Sequence, residues 1–255
     1  MTNQEILNIA LEQSALDCNC NLEDFLSVEN KIVFSKPNDK ARVYLPLPLE
    51  FDLVSYGSNI VAQTGERMKE IAEWYIGKYD IAHCFEAPNI IALNDKLAEF
   101  DYSVCFMAEY FLPDVNLLKE LPCEYEMRVL HPHDFEHYYT KEWSNALCEN
   151  RKHLDVLAIG AFEGKKLIGL AGCSADCENM YQIGIDVLPE YRRRGIASAL
   201  ISRLAIEIIK LGKVPFYCAA WSNVKSVRSA IKAGFKPAWV ELTARSREFV
   251  YQMNK

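Results

Sequence analysis

Three consecutive arginines stand directly before a glycine and an apolar helix-forming run in Ile183-Gly-Ile-Asp-Val-Leu-Pro-Glu-Tyr-Arg-Arg-Arg-Gly-Ile-Ala-Ser-Ala-Leu200. The residue types follow one another as a strand, a proline turn, a basic turn and a helix. The first turn of a helix exposes unpaired N–H groups and the positive end of its dipole, so acidic side chains belong there. Arg192, Arg193 and Arg194 oppose that field. An anion seated in the turn removes the conflict, with the backbone N–H groups from Arg193 to Ala197 as its donors. Gly195 and Ala197 add no bulk where a phosphate must approach the backbone. The competing reading is a solvated basic turn.

Other groups that could do chemistry are less well arranged. His131, His133 and His137 fall at i, i+2 and i+6, a spacing that gives no shared helical face for a metal, so they read as an ordinary loop-to-helix entry. Nine cysteines form an odd and irregularly spaced set; Cys18-x-Cys20 and Cys173-x3-Cys177 match no zinc spacing. They read as reduced thiols used as small buried residues, which points to the cytosol. Cys218, in a buried strand, reads as a core thiol and not as a nucleophile. No Gly-x-Gly-x-x-Gly follows a strand and no Walker string is present, so nucleotide-binding folds of those kinds have no support.

The arginine segment resembles the GNAT acetyltransferases. Their phosphate-binding signature, Gln/Arg-x-x-Gly-x-Gly/Ala, is matched by Arg192-x-x-Gly195-x-Ala197, and their Val-x-Pro-x-Tyr-Arg lead-in by Val187-Leu-Pro189-Glu-Tyr191-Arg192. A second signature, Asn-x-x-Ala/Ser before a helix ending in Gly-Phe, is matched by Asn223-x-x-Ser226 and Gly234-Phe235. The resemblance covers about Glu124–Arg245. It implies acetyl-CoA as cosubstrate, no metal, and transfer by direct attack of an amine on the thioester. Ile185 and Val187 would pair with the pantetheine arm through their backbones, and the Val187 N–H would face the thioester oxygen. Arg192, Arg193, Arg194, Gly195, Ile196, Ala197 and Ser198 would hold the pyrophosphate. Asn223 would reach the pantetheine with Ser226 nearby; a plain N-cap is the other reading of Asn223.

Two departures from the family pattern bear on catalysis. Where many members carry a proton-donating tyrosine on the helix after that asparagine, this chain has Ala230. Where some members place a glutamate base on the preceding strand, it has Tyr181. Tyr181, Glu178 and Tyr217 are then the nearest candidates for proton transfer, each with a structural reading beside the catalytic one. Two functions stay open: an acetyl-CoA-dependent N-acetyltransferase acting on a small cationic amine, and a catalytically weak CoA-binding regulatory or interaction module.

The elements that must position these residues follow from periodicity. Strands are expected at Tyr125–Leu130, Val156–Phe162, Leu167–Cys173, Tyr181–Leu188, Phe216–Trp221 and Trp239–Thr243, with a turn at Glu163-Gly164-Lys165. Helices are expected over Pro132–Asn150, over Gly195–Leu211 with Ile196, Leu200, Leu204, Ile208 and Leu211 on one face, and over Asn223–Ala233. The N-terminal half predicts strands at Lys31–Ser35, Arg42–Leu45, Phe51–Tyr56, Ile81–Phe85 and Ser103–Phe111. It predicts helices at Met1–Asp17, Gly65–Tyr79 and Asn89–Phe100. The element order predicts an α/β class with α+β character, and the resemblance implies a GNAT fold with a mixed central sheet flanked by helices and an additional α/β N-terminal domain. The expected domains are 1–121 and 122–255, separated at Pro113–Pro122. Sliding the chain by 134 residues sets Asn89 on Asn223, so the first domain reads either as a degenerate GNAT repeat on the substrate side or as an unrelated α/β domain.

Composition sets outer bounds. Half of the 255 residues are apolar and a quarter are charged, as in ordinary globular proteins. The apolar stretches Val156–Phe162 and Ile196–Ile209 fall short of the roughly 20 residues of a membrane span. Met1–Asp17 mixes glutamates with leucines and lacks the form of a secretory signal. Residues 1–121 carry 9 Lys+Arg and 20 Asp+Glu, a net of −11, whereas residues 122–255 carry 19 and 15, a net of +4. Nucleic acid and membrane are not expected partners; the oligomeric state leaves no mark.

Overall fold

The computed structural model describes residues 1–255. In chain order the first elements are α1 (Asn3–Cys18), α2 (Leu22–Leu26), β1 (Lys31–Phe34), β2 (Phe51–Ser55), β3 (Val61–Thr64), α3 (Lys69–Lys78), α4 (Ala87–Ala98) and β4 (Tyr102–Pro113). There follow β5 (Glu126–Leu130), α5 (Pro132–Phe135), β6 (Asp155–Glu163), β7 (Lys166–Ser174), β8 (Met180–Val187) and α6 (Ile196–Lys210). The chain ends with β9 (Val214–Ala220), α7 (Val224–Ala233), β10 (Phe235–Ser246) and α8 (Arg247–Met253).

Two compact units result. One comprises Met1–Ala10 and Phe111–Pro237, the other Leu11–Tyr110 and Ala238–Lys255. This division differs from a single cut at 121/122, because α1, β4 and β10 are continuous elements that pass from one unit to the other. The expected linker Pro113–Pro122 is also tied down inside the first unit. Asp114 accepts from Asn3 Nδ2 at 2.8 Å and is paired with Lys236, and Ser202 Oγ donates to the Lys119 carbonyl.

In the first unit the strands lie in the order β9-β8-β7-β6-β5. β5 to β8 are antiparallel neighbours, and β8 pairs with β9 in parallel. The β6–β7 turn is the tight one expected, with Glu163 opposite Lys166 and Gly164 at φ 61°. Helix α6 covers one face: Ile196, Leu200, Leu204 and Ile208 are buried against Ile159, Ile168 and Ile183. Leu211, placed on that face by periodicity, is 57% exposed, because the helix ends at Lys210 and the chain turns away through Gly212 at φ 74°. The other face is covered by Phe135, Trp143 and Leu147 from the β5–β6 connection. That connection is not the single helix expected over Pro132–Asn150. It is α5 followed by short 3-10 turns, interrupted at Tyr139 (ψ 78°) and Thr140 (ψ 168°).

In the second unit the order is β1-β3-β2-β10-β4. β1 runs parallel to β3, and β2 lies antiparallel to both β3 and β10. Its core gathers Phe51, Leu53, Ala62, Tyr75, Leu93 and Leu242 between these strands and α3 and α4. Arg42, expected in a strand, sits instead in a turn closed by Leu45 N–H to the Arg42 carbonyl. Its buried guanidinium is held by Asp17 at 2.5 Å and Glu241 at 2.8 Å. Ile81–Phe85 is not a strand but a turn ending in the 3-10 segment His83–Phe85, with Asp80 accepting from the His83 N–H at 3.1 Å. The repeat comparison therefore lacks its central strand. The meander β6-β7-β8 has no counterpart either, since β1 and β3 pair in parallel.

Candidate functional site

The parallel pair β8 and β9 is short. Its register runs from Met180↔Val214 to Ile183↔Tyr217 and stops. Strand β8 continues to Val187 and β9 to Ala220 with no further pairing between them, so the two strands fork over their last residues. Four residues of β8 past the last rung amount to roughly 13 Å of strand edge.

That edge presents donors. Leu188 N–H donates to the Ile168 carbonyl at 3.0 Å, and Leu170 lies opposite Asp186. In an antiparallel ladder alternate residues exchange bonds with the partner strand. Val187 and Ile185 therefore turn their N–H groups away from β7 and into the fork.

The basic turn caps the open end. After β8 the chain makes a 3-10 turn at Pro189–Tyr191. Arg193 at φ 64° and Gly195 at φ 82° are left-handed, and α6 begins at Ile196 without a side-chain N-cap. At Gly195 glycine adopts this backbone sign freely, whereas at Arg193 it costs about 1 kcal/mol or more. The first ladder bond of α6 is Ala199 N–H to the Gly195 carbonyl, which leaves the preceding N–H groups outside the helix ladder. Arg192 Nε donates to the Val187 carbonyl at 2.9 Å, bracing the turn against the strand end. Arg194 donates to Tyr125 Oη at 2.5 Å and lies over the Tyr191 ring. Ile196 and Ser198 are buried beneath the turn, so only their backbones can serve a ligand.

Helix α7 carries the remaining groups. Asn223 is its N-cap, accepting from Ser226 N–H at 3.2 Å, so the capping reading of this residue holds in the structure. Ser226 Oγ meets Tyr217 Oη at 2.6 Å, beside the last rung of the fork. Tyr217 is buried, and burial holds its phenol pKa above the ordinary value. Ala230 is buried in the core.

The other two proton-transfer candidates lie before the fork opens, on and ahead of β8. Tyr181 lies opposite Pro215, two residues behind the fork on its closed side, with its phenol pKa raised mainly by burial. Glu178 is exposed in the loop before β8 begins. Tyr181 is about 7 Å of strand from the last rung at Ile183 and about 20 Å from Val187, so it lies nearer the closed end of the fork, where Tyr217 and Ser226 meet, than the basic turn. Cys218 accepts from Gln182 Nε2 at 3.1 Å and is half-buried, looser than a core thiol. Of the histidines, His133 pairs with Asp134 at 3.1 Å and the His137 ring lies 3.9 Å from that of Tyr138.

Sequence reasoning missed one support of the site. Asp186 accepts from the backbone N–H groups of Asn145 and Ala146 at 2.8 and 3.0 Å and from Asn145 Nδ2 at 2.7 Å. The turn it grips lies on the sheet where Gly172 and Gly184 face each other. A Cβ at Gly184 would stand 1.8 Å from the Asn145 carbonyl oxygen, and one at Gly172 2.1 Å from that of Ala146. Paired glycines inside two strands were the available signal of a close backbone approach.

Fold and site together set a basic turn and a helix N-terminus at the mouth of a forked parallel pair. A family model, GNAT acetyltransferase, matches residues 90–238, and the chain belongs to that family. Among solved structures it resembles a GNAT-family protein from Novosphingobium aromaticivorans, at 18% identity and TM-score 0.45 over 56% of this chain and 66% of that one. It also resembles an acetyltransferase of the family from Colwellia psychrerythraea, at 17% identity and TM-score 0.44 over 56% and 57%. A third likeness is an N-acetyltransferase-like protein from Streptococcus suis, at 17% identity and TM-score 0.44 over 74% and 72%. The matched region thus spans less than two thirds of the first two of those chains. No curated protein sequence matches the chain. No helix is long and apolar enough to cross a membrane.

Proposed function

We propose that this protein is an acetyl-CoA-dependent N-acetyltransferase that acetylates a small, cationic amine. The observation that carries the reading is the continuity of the fork with the basic turn. One strand edge offers unpaired N–H groups at Ile185 and Val187, and it leads directly into a left-handed turn with three arginines and a helix N-terminus. A ligand with an amide-bearing arm and a diphosphate at one end has the shape and charge for that pair of features.

Acetyl-CoA supplies the activated acetyl group; the chain's own residues bind and orient it. Arg192–Ala197 hold the diphosphate and the strand edge receives the arm. The N–H groups of Val187 and Ile185 then serve amide and thioester oxygens, stabilising negative charge on the carbonyl as the amine attacks. The hydroxyl pair Tyr217–Ser226, at the closed end of the fork, is the nearest source of hydrogen bonds for the departing thiolate. The amine needs no dedicated base, since about one alkylamine molecule in a thousand is neutral at pH 7.

The deciding experiment is a panel of amines with acetyl-CoA and a free-thiol readout. Amine-dependent thiol release is expected. CoA binding without amine-dependent release from any member would favour the regulatory-module reading.

A further inference from the structure

The turn before α6 holds a cation that its own sequence segment does not contain. Lys232 belongs to the last turn of α7, 37 residues beyond Gly195. Its Nζ stands 3.7 Å from the point a side chain's first carbon would occupy at Gly195, and no other atom outside the chain neighbours comes within 4 Å of that point. The ammonium thus overhangs the start of α6.

This is a poor place for a positive charge on its own. The helix N-terminus is the positive end of the dipole, and Arg192, Arg193 and Arg194 are already there. Nearby cations have carboxylate partners: Lys166 pairs with Glu190 at 3.1 Å, and Arg194 lies 3.9 Å from Glu124. Arg192, Arg193 and Lys232 have none within ion-pair range. Lys232 therefore brings an uncompensated cation from a separate element to the N–H donors that the arginine turn precedes. A phosphate oxygen accepts at about 2.9 Å from each donor, so one phosphate group on the Gly195–Ala197 amides lies within reach of Lys232.

On the reading that the turn binds CoA, we infer that Lys232 holds its diphosphate, closing from α7 a site that the turn opens. The diphosphate and not the 3′-phosphate is the expected target, because the lysine stands over the helix start whose amides this reading assigns to the diphosphate. Helix α7 then clamps both ends of the arm, with Ser226 beside the closed end of the fork and Lys232 over its mouth.

Titration calorimetry of the full chain with CoA and with dephospho-CoA tests this, using wild type, Lys232→Gln and Lys232→Arg. Lys232→Gln is expected to weaken both ligands alike, by about fivefold to tenfold for one charge-assisted contact at an exposed site, and to flatten the salt dependence of binding. Lys232→Arg should keep most of the affinity. Lys232 is exposed, so unchanged melting of both variants is the expected folding control. Unchanged affinity of Lys232→Gln for CoA overturns the inference, and so does a loss confined to CoA with dephospho-CoA unaffected. Wild-type protein that binds neither ligand overturns the CoA reading itself.

Discussion

Arg194 and Asp52 show how differently a charge behaves at the surface and in the core. Arg194 is exposed, and its guanidinium is kept in place by Tyr125 Oη and the Glu190 carbonyl rather than by burial. Replacing it with glutamate removes a donor from the anion turn and adds repulsion. CoA affinity should fall about tenfold or more, the equivalent of a charge-assisted bond of roughly 1.5–3 kcal/mol. Calorimetry showing unchanged affinity would remove the turn from the site. Asp52 is buried beside Glu241, and its carboxyl meets Thr243 Oγ1 at 2.5 Å. Burial first, and then the Glu241 charge, push its pKa up from 3.8 to about 7, against the pull of Thr243 and Arg42. The folded chain therefore keeps between about pH 4 and pH 7 a proton that the unfolded chain releases. The associated stability is complete below the unfolded value and is lost as pH rises through 7. Asp52→Asn keeps the shape without that titration. It should unfold at higher denaturant than wild type at pH 8, by up to about 4 kcal/mol, with the gap closing toward pH 4. Equal pH slopes for the two proteins would show that Asp52 ionises freely in the fold.

At the scale of elements, the fork depends on a sheet face that accepts a loop at van der Waals contact. Gly184→Ala sets a methyl carbon 1.8 Å from the Asn145 carbonyl oxygen and must displace the turn that Asp186 holds. A loss of about 2–4 kcal/mol in chemical denaturation is expected, in the range of overpacked cores. A loss under about 0.5 kcal/mol would mean that this turn is not seated on the sheet. The same contact explains what the sequence could show and what it could not. Strands β5 to β9 with α6 and α7 were legible because alternation, helical spacing and the stops at Gly212 and Gly234 agree with one another there. The arginine turn stood out because Arg192–Arg194 contradict the dipole of the helix they precede, and it lies between β8 and α6 as expected. The broken connection after Pro132 was not, since Trp143 and Leu147 take positions set by the sheet beneath them. Arg42 was read into a strand for a similar reason, its partners Asp17 and Glu241 lying far off in sequence. The missed strand β3 is only four residues of small and polar types, and α8 follows β10 with no break residue to announce it. Lys232 joins the site only through the packing of α7 on α6, which no local spacing encodes.

At the scale of the whole molecule, the uneven charge is the feature with a consequence for the acceptor. CoA carries about four negative charges on its phosphates, whereas the unit with the arginine turn, residues 1–10 and 111–237, has 17 Lys+Arg and 16 Asp+Glu, a net of +1. The other unit, residues 11–110 and 238–255, has 11 and 19, a net of −8, and carries most of the acidic field. A cationic amine is drawn by such a field before it meets any specific group, raising its local concentration and on-rate. The reading of the acceptor as a small cation rests on this asymmetry, and salt separates it from a surface whose acidity serves only to keep the protein in solution. The Debye length falls from about 10 Å at 0.1 M to about 3 Å at 1 M, so long-range attraction is erased while contacts inside the site persist. The apparent KM for the best amine should therefore rise several-fold between 0.05 and about 0.5 M salt, with kcat at saturating amine nearly constant. A neutral arylamine, measured at saturating acetyl-CoA, supplies the control and should show no such rise. If the preferred acceptor proves neutral or anionic, or if salt leaves the KM of a cationic one unchanged, the acidic charge of the second unit has no part in choosing the substrate.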